Sequence, residues 1–188
     1  MKNENYFKES LNLAKYIIYY YLENKVVPTN LNIQLTLYLV KLLANKKIDV
    51  TFEVWVHGPV NPRVYAYIKK HYENNICDKL LHSYEEKGLL IELKPLINSI
   101  ITILIHFDSS IIRKFCISKD LPYAKTLEHL KIKNNHHTIK EARKHKNIFI
   151  FDKDFRECNY KINVLNNDNN IDCLHNSLME LSKELAIN

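Results

Sequence analysis

The stretch VTFEVWVHGPVNPRVY, residues 50–65, carries the change of period on which the fold turns. Val50, Phe52, Val54 and Val56 alternate with Thr51, Glu53, Trp55 and His57. Most of these side chains are β-branched or aromatic, so the pattern predicts a strand over 50–57 with one face against a core. Gly58-Pro59 breaks that strand. A helix opens at Asn61-Pro62, because proline in a first turn has no amide bond to lose, and runs to about Tyr72. Trp55, the chain's one tryptophan, is out of phase with Val54 and Val56, so it either covers the second face of the sheet or packs under the following helix. Two prolines and a glycine at one corner are explained by architecture alone, and a functional reading stands beside that one.

Helices flank the strand on both sides. Residues 5–24 repeat Leu11, Ala14, Ile17, Ile18, Tyr21 and Leu22 at three- and four-residue steps. Pro28 stops that helix, and Thr29 or Asn30 caps the next one, over 30–45, whose apolar face includes Leu31, Leu35, Tyr38 and Leu42. Residues 78–87 read as a helix closed by Gly88 and Leu89–Leu93 as a short strand. The run Leu96–Phe107 suits a buried helix or a buried strand, and Pro95, placed as in a first turn, favours the helix. Short helices follow over 109–117, 121–132 and 137–145, then a strand at Ile148–Phe151. A polar linker around 166–170 leads to a last helix, Cys173–Ala186, with Leu174, Leu178, Leu181 and Leu185 on one side.

Composition narrows the class. The 188 residues are 46% apolar, enough for a single core without metal or disulfide support. Two glycines are too few for the tight turns of an all-β protein. The four cysteines have no CxxC spacing and read as reduced thiols, which points to a cytoplasmic protein. MKNENYFKES is charged where a signal peptide needs an apolar stretch, and the longest apolar run, twelve residues, is short of the roughly 20 a membrane helix requires. No membrane association is expected.

Chemical motifs are sparse. Nine histidines show no HxH, HExxH or HxxxH pairing and no coupling to a cysteine pair, so no metal site and no cofactor is expected. Gly58 and Gly88 are too far apart to form a phosphate-cradling loop, and GxSxG is missing, so the chain is not read as an enzyme. A net charge of +6 with only four arginines fits a solvated basic surface better than bidentate phosphate recognition. Twelve tyrosines, with Tyr16, Tyr19, Tyr20 and Tyr21 crowded on one helix, leave two readings open: core packing, or an interface using their large amphipathic rings.

Three blocks, in order, resemble the Panacea-domain proteins, that is, the SocA-like antitoxins and their phage-associated relatives in bacteria. Ala14-Lys15-Tyr16-Ile17-Ile18 is similar to A-x-Y-I-L. Thr29, Asn30, Leu31, Gln34, Leu37 and Tyr38 are similar to T-N-L-K-L-Q-K-L-L-Y, and Glu53, Trp55, Gly58, Pro59, Val60, Pro62, Val64 and Tyr65 to E-A-W-x-Y-G-P-V-x-P-x-V-Y. Lys140-Glu141-Ala142-Arg143 matches a later basic segment loosely. His57 stands in place of a tyrosine, and the tail after about 152 lies outside the likeness.

The resemblance implies an antitoxin: a binder that neutralises a protein toxin encoded nearby, directly or by delivering it to a protease. The implied contact residues are Trp55, His57, Gly58, Pro59, Pro62, Arg63, Tyr65 and Tyr38, with Lys41 and Lys69 as neighbouring basic groups. The expected fold is α+β and mainly α-helical: a compact helical domain over 1–152 with one small antiparallel sheet, then a linker and amphipathic helix over 153–188. The competing reading is a nucleic-acid-binding regulator of winged-helix-like arrangement, whose second helix, however, offers only Lys41 between 30 and 42.

Overall fold

The computed structural model describes residues 2–44, 48–71, 83–158 and 169–187, and is mainly helical with one two-stranded antiparallel sheet. The elements are α1 (Lys2–Glu23), α2 (Asn30–Ala44), β1 (Glu53–Trp55), β2 (Gly58–Val60), α3 (Pro62–His71), α4 (Leu89–Leu104), α5 (Ser109–Cys116), α6 (Pro122–His129), α7 (His136–His145), α8 (Asp152–Glu157) and α9 (Asn169–Ile187).

The central element is α2, buried continuously from Ile33 to Leu42 because α1, α3, α4, α5 and β2 all pack around it. Between Ile33 and Leu42 it therefore presents no free face to solvent. Its start is a capping box. Thr29 Oγ1 accepts from the Asn32 amide at 3.2 Å, and Asn32 Oδ1 accepts from the Thr29 amide at 3.0 Å.

With so little glycine, lysine closes two helices. Lys25 and Lys131 both have positive φ, 59° and 56°. At the end of α1 the amides of Lys25 and Val26 donate to Leu22 and Tyr21, and after α6 those of Lys131 and Ile132 donate to Glu128 and Leu127. Both are the paired bonds of a Schellman ending, with Val26 and Ile132 packing back on the core.

The strand expected over 50–57 is shorter than its alternation suggests. Gly58-Pro59 does not end the sheet: Val56-His57 is the turn, and Gly58–Val60 returns as β2, with Glu53 facing Val60, Val54 facing Pro59 and Trp55 facing Gly58. Gly58 takes φ 121°, open to glycine and strained for other residues. Ile148–Phe151 is no full strand, yet it lies along β1. The Val54 amide donates to Ile148 O and the Ile150 amide to Phe52 O, both at 2.8 Å.

Two further expectations are corrected. Leu89–Leu93 is the first part of α4, with Pro95 inside that helix. Leu90, Leu93, Leu96, Ile97, Ile100, Ile101 and Leu104 form one continuous buried stripe, and its burial outweighs the ~3 kcal/mol an internal proline costs. Residues 83–87 are not helical; the rest of the expected 78–87 helix, and the linker up to 168, lie outside the described residues. The described segments after residue 152 pack on the rest of the chain. Phe155 and Cys158 are buried in the main core, and Leu174, Leu178 and Leu181 of α9 bury against α4 and α5.

No single helix among the described residues is long and apolar enough to cross a membrane. Only α4 with α5 approaches that length, as a pair bent by 120°.

Candidate interaction surface at the hairpin corner

The β1–β2 corner is held from beneath by polar side chains of neighbouring helices. Buried Gln34 accepts from the Asn61 amide through Oε1 at 2.9 Å. Asn61 donates through Nδ2 to Thr51 O and caps α3 by accepting from the Val64 amide, both at 3.0 Å. The hairpin's carbonyls are also engaged: Tyr123 Oη donates to Trp55 O at 2.7 Å, and Arg113 Nη2 to Val56 O at 3.0 Å. Burial pushes the Tyr123 phenol far above its ordinary range, with Arg113 and Arg143 pulling the other way.

On this base stands a stack of aromatic and cationic groups. Trp55 Nε1 donates to the buried Glu53 carboxylate at 2.9 Å, which fixes the indole against β1. The Tyr65 ring lies 5.1 Å from the Trp55 ring, and the Arg143 guanidinium 4.3 Å above it. Arg143 Nη2 is also 3.6 Å from Glu53 Oε2. The loosely matching basic segment thus docks, through Arg143, on the tryptophan of the third block. The Nε atoms of both Arg113 and Arg143 are shut away from solvent without a hydrogen-bond partner.

The expected contact residues divide by accessibility. His57 and Arg63 are exposed, as is Lys69, and Trp55, Pro62 and Tyr65 are half-buried. Gly58 and Pro59 are buried; they shape the corner and do not face outward. Tyr38 is a correction. It is 0% exposed, accepts from the Tyr123 amide at 3.2 Å and packs against Phe52 and Phe155. Lys41 is another: it is buried, donates to Val50 O at 2.5 Å and pairs with Asp152 at 2.6 Å. Arg113 went unnoticed because an isolated arginine in a short helix gives no sequence signal, whereas Arg143 was within reach through the KEAR match.

The crowded tyrosines of α1 divide in the same way. Tyr16 is buried, donates to Asn98 Oδ1 at 2.7 Å and packs edge-on to Tyr84. Tyr19 and Tyr20 are half-buried beside it. A cleft of about 620 Å³ lies near this helix, between α1 and residues 83–90. Asn12 bridges its walls, donating to Glu85 O at 2.8 Å and accepting from the Glu85 amide at 2.7 Å.

A second polar cluster holds α8 down. Asp154 is fully buried, accepts from Thr126 Oγ1 at 2.8 Å, and has His129 Nδ1 at 3.4 Å from its other oxygen. Burial pushes the neighbouring Cys158 thiol up to about 11, so it stays protonated and is a poor nucleophile at neutral pH. Among the described residues no group of three or more histidine, cysteine or acidic side chains is arranged to hold a metal ion.

No family model matches the chain, and neither a search of curated proteins nor one of solved structures finds a significant match.

Proposed function

We propose that this protein acts by binding another polypeptide at the β1–β2 corner, as an antitoxin that neutralises a protein toxin in the cytoplasm. The observation that carries the reading is the half-buried Trp55–Tyr65–Arg143 stack, bordered by exposed His57 and Arg63. Tryptophan, tyrosine and arginine on a rigid base are the residue types that dominate binding energy at protein interfaces. The base is rigid because Gln34, Asn61, Arg113 and Tyr123 hold the hairpin from beneath. The antitoxin role rests on the resemblance of the three sequence blocks, and the revised contact set is Trp55, His57, Pro62, Arg63 and Tyr65.

The test is co-expression with the product of the adjacent reading frame. Wild-type chain is expected to restore growth and to co-purify with that product. Changing the exposed pair, His57→Ala with Arg63→Glu, is expected to abolish rescue while circular dichroism stays native. Full rescue by that folded variant would remove the corner as the contact surface, and an adjacent product that neither harms growth nor binds would remove the antitoxin role.

A further inference from the structure

Charge is distributed very unevenly along this chain. Residues 131–146, KIKNNHHTIKEARKHK, contain six lysines and arginines against one glutamate, so this short stretch holds five of the chain's six net positive charges. It comprises α7 and the turn before it. Ile139 is the one buried residue in α7, and Arg143 turns inward onto Trp55. Lys131, Lys133, Lys140, Lys144 and Lys146 are exposed, as are His136, His137 and His145. Glu141 is paired with Lys144 at 2.8 Å.

The local structure is firm. Asn135 caps α7 by accepting from the Thr138 amide at 2.9 Å, and Thr138 Oγ1 donates to Lys133 O at 2.6 Å, tying the turn to the helix start. Lys131 sits in the Schellman ending of α6. A helix of this length spans about 15 Å. The lysines along it therefore lie within one or two screening lengths of each other, roughly 10 Å at 0.1 M salt, and act on a partner as one field.

The outward side of α7 lacks what a protein interface uses. Interface cores are aromatic and apolar and are depleted of lysine, whereas this face presents lysine and histidine and no Phe, Tyr, Trp, Leu or Met. Single-stranded nucleic acid uses a run of rings for stacking, and here one exposed ring, Phe149, follows the helix. Lysine is a point-charge ligand for phosphate. A helix is also a shape that the roughly 12 Å major groove of B-form DNA admits and the narrow groove of an RNA duplex does not. From this face we infer that the exposed lysines of α7 and the preceding turn, apart from the inward-turned Arg143, form a second binding surface for the phosphate backbone of duplex DNA, with little sequence preference.

The test is fluorescence anisotropy of the full chain with a labelled random 20-base-pair duplex, a single strand of the same length, and poly-glutamate. Four neutralised phosphates would weaken duplex binding by roughly 10²-fold between 50 and 200 mM salt. The variant K133E/K140E/K144E, at three exposed positions, is expected to lose at least about tenfold in affinity and to flatten the salt slope. The variant K69E/K87E/K119E changes net charge equally from exposed positions elsewhere and is expected to bind close to wild type. Circular dichroism checks that both stay folded. Three results would each overturn the inference: no duplex binding at 50 mM salt, an equal loss in both variants, or tighter capture of single strand or poly-glutamate than of duplex.

Discussion

Replacing Phe155 by alanine tests whether the segment after residue 151 belongs to the core. Phe155 is 7% exposed, with its ring 5.4 Å from that of Tyr38 and 6.4 Å from that of Phe52, and with Lys41 Nζ 4.6 Å from its centre. Emptying such a site costs about 3–5 kcal/mol, the lost transfer energy plus the cavity left behind. That is a large part of the ~5–15 kcal/mol by which a domain is normally stable. Trp55 is the only tryptophan, so its emission follows unfolding of the hairpin without competing signals. With a urea slope of about 2–3 kcal/mol/M, the midpoint should fall by about 1–2.5 M with the slope unchanged. Phe149→Ala is the control, because that ring is 52% exposed and its loss should shift stability by no more than ~0.5 kcal/mol. A Phe155→Ala midpoint within about 0.3 M of wild type would refute the placement of this segment in the core.

Three other outcomes follow from local geometry. Gly58→Ala should destabilise by about 1–3 kcal/mol, because φ 121° strains any side chain, whereas Lys131→Gly should stabilise by up to ~1 kcal/mol by relieving a left-handed lysine; chemical denaturation measures both. Burial pushes the Tyr21 phenol up to about 12, against a partly offsetting hydrogen bond with Thr36, while an unfolded tyrosine titrates near 10. Its contribution to stability is therefore complete below about pH 10 and is lost as pH rises towards 12, which denaturation midpoints across that window will show. Cys173 should alkylate in the native protein while Cys116 and Cys158, buried and with raised thiol pKa, stay unmodified; peptide mapping after iodoacetamide treatment reads this directly.

Helices with a clean three-four stripe were legible from sequence. α1, α2, α3 and α9 fall close to where the apolar spacing places them, and the short α5, α6 and α7 also match. What failed was local signal overridden by burial. Leu89-Leu90-Ile91 looks like a strand and Pro95 like a helix start, yet the buried stripe carries one helix through both. The hairpin was missed because Gly58-Pro59 is a familiar breaker, and nothing local shows that Glu53–Trp55 pairs with Gly58–Val60. Five of the eight expected contact residues, Trp55, His57, Pro62, Arg63 and Tyr65, are at least partly exposed. Tyr38 and Lys41 misled because their residue types suit an interface, while their positions on a helix enclosed from several sides fix them inside. Arg113 and Arg143 reach the corner from distant helices, a proximity that only tertiary packing creates.

The way Ile148–Ile150 runs beside β1 limits how a partner can engage this protein. β1 has β2 on one side and the backbone of 148–150 on the other, so its amides and carbonyls are not open to an incoming chain. β2 is only three residues long and carries Pro59, which gives an invading strand a short and donor-poor edge. β1 itself therefore cannot take an added strand, and β2 is a poor template for one. A partner at the proposed surface would then be read mainly through side chains, so that selectivity would follow its residues more closely than its backbone conformation.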